Sequence, residues 1–346
     1  SFRQPIHLTP NPLDVATDRL GRPLRDLRIS VTDRCNFRCR YCMPREKFGK
    51  GHDFLPKNEI LTYEEIRNFV KACKPLGLRK VRITGGEPLL RQDLHHLVRQ
   101  LSAMEMEVAL TTNGSLLENN AANLAQSGLS RVTISLDAID QEVHSKITDS
   151  KVPVIDILDG ISAATRYELG PVKVNCVVQR GVNEHQIPKL VRKFRGTGVI
   201  VRFIEFMDVG STNGWTQGQV VPTSEIIDFL SSEFDLTPLA RKSASDVASR
   251  WAHSDGSGEI GFISSVSQPF CGDCVRARLS SDGKFFTCLF TTIGHDMSAL
   301  IRSGGNTEGL TLSIEEVWSA RKDRYSEERS SGAISLPRLE MSYIGG

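Results

Sequence analysis

Short apolar segments of strand type alternate with amphipathic helical ones through the first two hundred residues. The strands are predicted over 27–32, 80–84, 107–112, 131–136, 172–178 and 199–206, and the helices near 63–74, 93–104, 118–126, 154–168 and 184–195. Such alternation predicts a parallel sheet joined by right-handed crossovers. Because side chains alternate across a strand, each strand splits into two sets. One set is apolar: Leu27, Ile29 and Val31, then Val81, Ile83, Val108, Leu110, Val132 and Ile134, then Val172, Val174, Cys176 and Val178. The other holds Arg28, Ser30, Thr32, Arg82, Thr84, Ala109, Thr111, Thr133, Ser135, Asp137, Lys173 and Asn175. A doubly wound sheet buries both faces under helices and reads apolar on both. One apolar and one polar face predict an α/β fold with a curved sheet, an incomplete (β/α)6 barrel of TIM type around a solvated, ligand-filled lumen. The alternative, polar faces turned to bulk water, requires helices on one side only. No dinucleotide-type glycine fingerprint follows the first strand, which weighs against that class of nucleotide fold.

Beyond residue 206 the pattern changes. Residues 208–214 read as a loop and 237–258 as polar and irregular. A β-rich segment follows, with a hairpin turn at Asp282-Gly283. The division predicted is an N-terminal extension over 1–24, the partial barrel over 25–214, and a C-terminal α+β domain over 215–346 closing the barrel mouth.

Charge changes the picture little. The chain has 43 basic and 41 acidic side chains for a net charge of +2, which argues against a global field for nucleic acid or membrane. No apolar run reaches the length of a membrane span, and residues 1–20, broken by prolines, do not read as a secretory signal.

Cysteine changes it a great deal. Of eight cysteines, six form two distant triplets, Cys35, Cys39 and Cys42, and Cys271, Cys274 and Cys288. That is not a disulfide framework; it predicts metal binding or thiol chemistry in a reducing cytosol. Cys73 continues a helical apolar stripe and Cys176 a strand face, so both are assigned to the core.

The first triplet has C-x3-C-x2-C spacing. Iron–sulfur clusters are normally held by four thiolates, so three leave one iron free, an open position of the kind catalytic sites keep. A zinc knuckle is the alternative, but no neighbouring His or Cys offers a fourth ligand. At the end of the second strand, where parallel α/β folds place ligands, stands Thr84-Gly85-Gly86-Glu87-Pro88. Its glycines let backbone approach a bound group, and its carboxylate or carbonyls offer acceptors for an ammonium; a tight βα turn is the plainer reading. The second triplet brackets the predicted hairpin, which can return Cys288 close to Cys274; spacing alone leaves a structural zinc site open there. Arg276 and Arg278 lie between these cysteines on one strand face. With Arg28, Arg82 and Lys173 they make five cations that can converge on one cavity, the complement of a polyanion.

Stretches 27–44, 81–91, 110–114, 134–137, 172–175, 201–210 and 270–290, with Gly345-Gly346, resemble the molybdenum cofactor biosynthesis protein A family, the GTP 3′,8-cyclases, within the radical S-adenosylmethionine (SAM) superfamily. The match spans nearly the whole chain except 1–17 and 237–258. The resemblance implies two 4Fe–4S clusters, on Cys35, Cys39 and Cys42 and on Cys271, Cys274 and Cys288. It implies SAM contacts at Tyr41, Gly86, Ser135 and Met207, and GTP contacts at Arg28, Arg82, Thr111, Lys173, Arg276 and Arg278. The implied activity is reduction of SAM by the first cluster, radical removal of the 3′ hydrogen of GTP, and attack on guanine C8. The product is 3′,8-cyclo-7,8-dihydroguanosine 5′-triphosphate, in the first step of molybdenum cofactor biosynthesis. The second cluster would bind the guanine base, and the Gly-Gly tail would reach into the active site. Implied partners are an external electron donor of flavodoxin or ferredoxin type and a downstream cyclic pyranopterin monophosphate synthase, with no nucleic acid or membrane and with a homodimer left open. Two other readings compete: a radical SAM maturase acting on a peptide or RNA, and a non-catalytic iron–sulfur electron carrier.

Overall fold

The computed structural model describes residues 15–244, 246–329 and 338–346; residues 1–14 of the expected extension therefore lie outside the described residues. Among the described residues a single sheet is built from β1 (Asp26–Ser30), β2 (Lys80–Thr84), β3 (Glu107–Thr112), β4 (Arg131–Ser135), β5 (Lys173–Val178), β6 (Ile200–Glu205), β7 (Leu236–Leu239), β8 (Ser249–His253), β9 (Glu259–Ile263), β10 (Arg276–Leu279), β11 (Lys284–Phe286) and β12 (His295–Asp296). Their order is β12-β11-β10-β1-β2-β3-β4-β5-β6-β9-β8-β7. From β10 through β9 every pairing is parallel. The sheet is not closed: β12 and β7 are its edges.

The six expected strands lie where their hydrophobic periodicity placed them, and the incomplete barrel is the fold observed. Two strands from the C-terminal part extend it. β10 pairs with β1 and β9 with β6, so chain ends remote in sequence join the same parallel run. The stretch expected to be irregular instead forms the antiparallel hairpin β7–β8. Its positions are largely half-buried or exposed, so apolar alternation does not mark it. Pro238 is tolerated there because β7 is an edge strand.

The apolar set forms the outer wall. Leu27, Ile29, Val81, Ile83, Val108, Leu110, Val132, Ile134, Val174 and Cys176 are fully buried under the helices. Helix Tyr63–Cys73 shows how sequence sets one of these helices. Thr62 caps it by accepting from the Glu65 N–H at 3.1 Å, while the Glu65 carboxylate accepts from the Thr62 N–H at 2.7 Å. Its inward stripe Ile66, Phe69, Val70 and Cys73 is fully buried, and helix Thr307–Ser319 packs across it. Helix Gln141–Thr148 was not anticipated; its buried residues are His144, Ile147 and Thr148, too polar a set to draw an apolar stripe.

Candidate active site

The loop after β1 carries the first cysteine triplet across the C-terminal ends of the parallel strands. Cys39 is in electrostatic reach of Cys42 and Cys35. Burial, then Glu87, pushes the Cys35 thiol up to about 11; burial, then Cys35 and Glu340, pushes Cys42 up to about 12. Three desolvated thiols that resist ionising together are suited to a cationic metal core, which stabilises thiolate.

The glycine turn is bonded to this loop. The Gly86 N–H donates to Thr32 O and the Glu87 N–H to Arg34 O, each at 2.8 Å. A Cβ on Gly86 would run into the Arg34 carbonyl, so only glycine permits this approach. The Glu87 carboxylate is taken up by donors of the protein itself. It is fully buried and accepts from Thr112 Oγ1 at 2.7 Å, the Asn113 N–H at 2.8 Å and the Leu89 N–H at 3.0 Å. Burial pushes its pKa up to about 6 despite those bonds. Tyr41 donates its hydroxyl to Asp137 Oδ2 at 2.5 Å and sets its ring edge-on to Phe206. Ser135 ends β4, and Met207 follows β6 at the same end of the sheet.

The polar strand faces form the lumen. Register aligns Arg278, Arg28 and Arg82 across β10, β1 and β2. Arg82 donates to Thr111 Oγ1 at 3.2 Å and Thr133 Oγ1 at 3.3 Å. Burial, followed by Arg278, Arg276 and Arg82, holds Arg28 well below the ordinary arginine range, and Arg28 Nε is a buried donor without a partner. Burial, then Arg202, Arg131, Arg82 and Lys80, lowers Lys173 to about 8. Burial and Arg276 bring Arg278 down to about 10. These groups repel one another with little acidic compensation, so a bound polyanion would relieve them.

All six expected substrate residues thus lie on one face of the sheet. Sequence reasoning did not select Arg202, Arg131 or Lys80 beside them. Arg202 donates through Nε to Asn175 Oδ1 at 2.8 Å and is lowered to about 10 by burial, Arg82 and Arg131. Alternation along β6 was the available signal, since Arg202 takes the lumenal position beside Asn175. Arg131 pairs with Glu107, and Lys80 lies 3.9 Å from both Asp26 and Glu107, so these two are partly neutralised.

The second triplet stands beside the same lumen. Cys271–Asp273 is a single 3-10 turn leading into β10, and the β10–β11 hairpin turns at Asp282-Gly283 as expected. Burial raises the Cys274 thiol, but Arg276 and Arg321 outweigh it and hold the group at about 6. Arg276 Nη2 lies 3.5 Å from the Cys274 sulfur. Cys288 is pushed up to about 11, by burial first and then by Asp323 and Cys274. Cys73 and Cys176 are buried in the core, as expected, and serve neither triplet.

The last residues link the two triplets. The Ser342 backbone donates to Cys42, and the Gly345 carbonyl accepts from Arg278. Gly345 has φ of 82°, and a Cβ there would strike Thr84 Oγ1 and press on Ser30. The tail therefore passes from the first cysteine loop to β10 along the lumen. Among the described residues no three His, Cys, Asp or Glu side chains are gathered tightly enough to hold a single metal ion; two triplets of thiols, each without a fourth cysteine beside it, suit the larger, site-differentiated iron–sulfur clusters better than closed zinc sites.

Residues 29–194 match the radical SAM superfamily model and residues 199–327 the Molybdenum Cofactor Synthesis C model. A GTP 3′,8-cyclase from Acidothermus cellulolyticus is 47% identical over 356 residues, covering 95% of this chain and 98% of the relative. One from Staphylococcus epidermidis is 47% identical over 339 residues, covering 96% and 99%. In fold, the chain resembles Streptococcus suis SuiB bound to S-adenosylmethionine, with a TM-score of 0.58 and 15% identity over 85% of this chain and 68% of that one. Identity of this order over almost the full length of both partners settles descent: the chain belongs to the GTP 3′,8-cyclase family of radical SAM enzymes.

Proposed function

We propose that this chain is a radical SAM GTP 3′,8-cyclase, converting GTP to 3′,8-cyclo-7,8-dihydroguanosine 5′-triphosphate at the start of molybdenum cofactor biosynthesis. The observation that carries the reading is the row of mutually repelling cations, Arg278, Arg28 and Arg82 with Lys173, between two open thiol triplets. A nucleoside triphosphate matches that chamber at both ends, with phosphates for the cations and a base for the rear metal site. When bound, SAM and the front cluster supply the radical hydrogen-abstraction chemistry. The chain's own residues bind and orient.

Cys35, Cys39 and Cys42 would hold the front cluster, and Tyr41, Gly86, Ser135 and Met207 would seat SAM at the strand ends. Cys271, Cys274 and Cys288 would hold the rear cluster. Arg28, Arg82, Thr111, Lys173, Arg276 and Arg278 would fix GTP, with the guanidinium forks suited to phosphate oxygens. The tail at Gly345 lies across the lumen and would narrow it around the substrate. A low-potential donor of flavodoxin or ferredoxin type and a downstream cyclic pyranopterin monophosphate synthase complete the reading. No helix among the described residues is long and apolar enough to cross a membrane; the proposed compartment, a reducing cytosol, rests on the free thiols of the two triplets.

Anaerobic incubation of the reconstituted protein with SAM, dithionite and GTP tests it. The expected result is 5′-deoxyadenosine together with matching loss of GTP. Deoxyadenosine formed without GTP loss would transfer the protein to another radical SAM substrate, and absence of both would overturn the reading.

A further inference from the structure

Asp18, Arg22 and Arg321 lie away from the substrate-facing strand residues, yet they are only 5%, 3% and 4% exposed. Burying charge costs several kcal/mol per ion unless excellent partners offset it. Asp18 Oδ2 meets Arg22 Nε at 2.6 Å and Arg321 Nη1 at 3.2 Å. Its Oδ1 accepts from the Leu20 and Arg22 N–H groups, each at 2.9 Å. Asp18 therefore lies between two guanidiniums, and a second carboxylate, Asp323 Oδ2, stands 3.7 Å from Arg321 Nε with its side chain one third exposed, so it screens the pair only in part.

The remaining guanidinium donors point to the second cysteine turn. Arg22 Nη1 donates to Cys271 O and to Asp323 O, both at 2.8 Å. Arg321 Nη1 donates to Cys274 O at 2.8 Å. The carbonyls of both cysteines of the turn are thus held by arginines from opposite ends of the chain. Trp318 fixes the pair, donating Nε1 to Arg22 O at 3.0 Å and lying under the Arg321 guanidinium at 4.5 Å. Two donors, Arg22 Nη2 and Arg321 Nε, are buried without a hydrogen-bond partner; Arg321 Nε has Asp323 Oδ2 at 3.7 Å. Unsatisfied buried cationic donors are costly, and an anionic metal–sulfur group on the adjacent cysteines would offset that cost.

We propose that Asp18, Arg22 and Arg321 are positioning residues of the rear cluster. They hold the Cys271–Cys274 turn in its metal-binding shape and set two buried guanidiniums directly against it, favouring the reduced cluster. The inference rests on the assignment of Cys271, Cys274 and Cys288 as cluster ligands. Net charge near a cluster is one of the protein's levers on its potential.

The test uses the full chain with Cys35, Cys39 and Cys42 replaced by alanine, so that only the rear cluster contributes signal. After anaerobic reconstitution, iron and sulfide are assayed and the cluster is titrated with dithionite against potential, followed by electron paramagnetic resonance. Arg321→Gln should move the reduced-to-oxidised ratio at fixed potential about tenfold toward oxidised, about 59 mV for a one-electron couple. Arg321→Lys, which keeps the charge, should restore most of that shift. Asp18→Asn removes the negative partner and should move the ratio the opposite way, a sign that loosened packing alone would not produce. An unchanged ratio in Arg321→Gln, or shifts of the same sign in Arg321→Gln and Asp18→Asn, would overturn the proposal. If Arg321→Gln does not accumulate, the sign in Asp18→Asn and the near-normal ratio in Arg321→Lys decide it. Cys274→Ala should lose rear iron; full retention would refute the ligand assignment instead, a result separate from any shift at Arg321.

Discussion

Lys173 offers the sharpest test of the lumenal electrostatics, because its proton should be coupled to GTP. In the free protein its ammonium is held down to about 8 by burial and by Arg202, Arg131, Arg82 and Lys80. Triphosphate bound beside it would favour the charged form and raise the bound-state value toward that of an ordinary lysine. The sign follows. Below pH 8 the free protein already carries the proton, whereas above it GTP must recruit one, so affinity falls as pH rises. With a free value near 8, about three quarters of Lys173 is protonated at pH 7.5 and about a tenth at pH 9. If the bound form stays protonated, Kd should therefore rise roughly eightfold across that interval. Anaerobic calorimetry in two buffers of different ionisation enthalpy should find proton uptake approaching one per GTP at pH 9. Lys173→Met should bind more weakly at pH 7.5, by about 10- to 100-fold for loss of a charged contact, and should lose this part of the pH dependence. Deprotonation of guanine is common to both proteins and cancels in their ratio. An identical pH slope in wild type and Lys173→Met would refute the argument.

Three further outcomes follow from the same geometry. Cys35→Ala should lose the front iron and abolish 5′-deoxyadenosine formation, and continued formation would contradict the front-cluster assignment. Gly345→Ala adds a Cβ against Thr84 and Ser30 at a φ of 82°, with left-handed strain of about 1–2 kcal/mol. It should displace the tail, so turnover of GTP should fall while the thermal midpoint moves little; normal turnover would mean the tail is a bystander. Phe69→Ala empties a fully buried site packed against Phe285 and should cost about 3–5 kcal/mol in urea unfolding. A loss under 1 kcal/mol would show that the seam between this helix and the C-terminal strands is not tightly packed.

The barrel was legible because its two faces are written in different chemistry. Leu27, Ile29, Val81 and Ile83 lie on one side of the sheet and Arg28, Ser30, Arg82 and Thr84 on the other. Period two therefore reported curvature as well as strand positions. Elements without that contrast were harder to see. β7 is largely exposed and β8 mostly half-buried, so neither needs a continuous apolar face, while helix Gln141–Thr148 buries a histidine and a threonine with only one aliphatic side chain, Ile147. That β9 and β10 would join the barrel edges could not be read locally either. Their partners are β6 and β1, and pairing across such separations is decided by tertiary fit and not by propensity.

The same physics separates what was legible in the site from what was not. Cysteine triplets announce themselves because metal ligation needs short, fixed spacings, and a cation on a strand face is found by counting in twos. Arg202 obeys that count beside Asn175 and was within reach. Asp18, Arg22 and Arg321 obey no local count. Arg22 meets Cys271 249 residues away, and Arg321 meets Asp18 303 residues away. As isolated letters they are ordinary surface charges, since such residues are seldom fully buried. Only when β10 docks on β1 and brings the rear cysteines back to the start of the barrel does their burial demand partners. The bonds they then make go to the carbonyls of the two cysteines that open the second triplet. A support of this kind can arise only after the fold has closed the distance, so it belongs to the geometry of the rear metal site and leaves no motif in the chain.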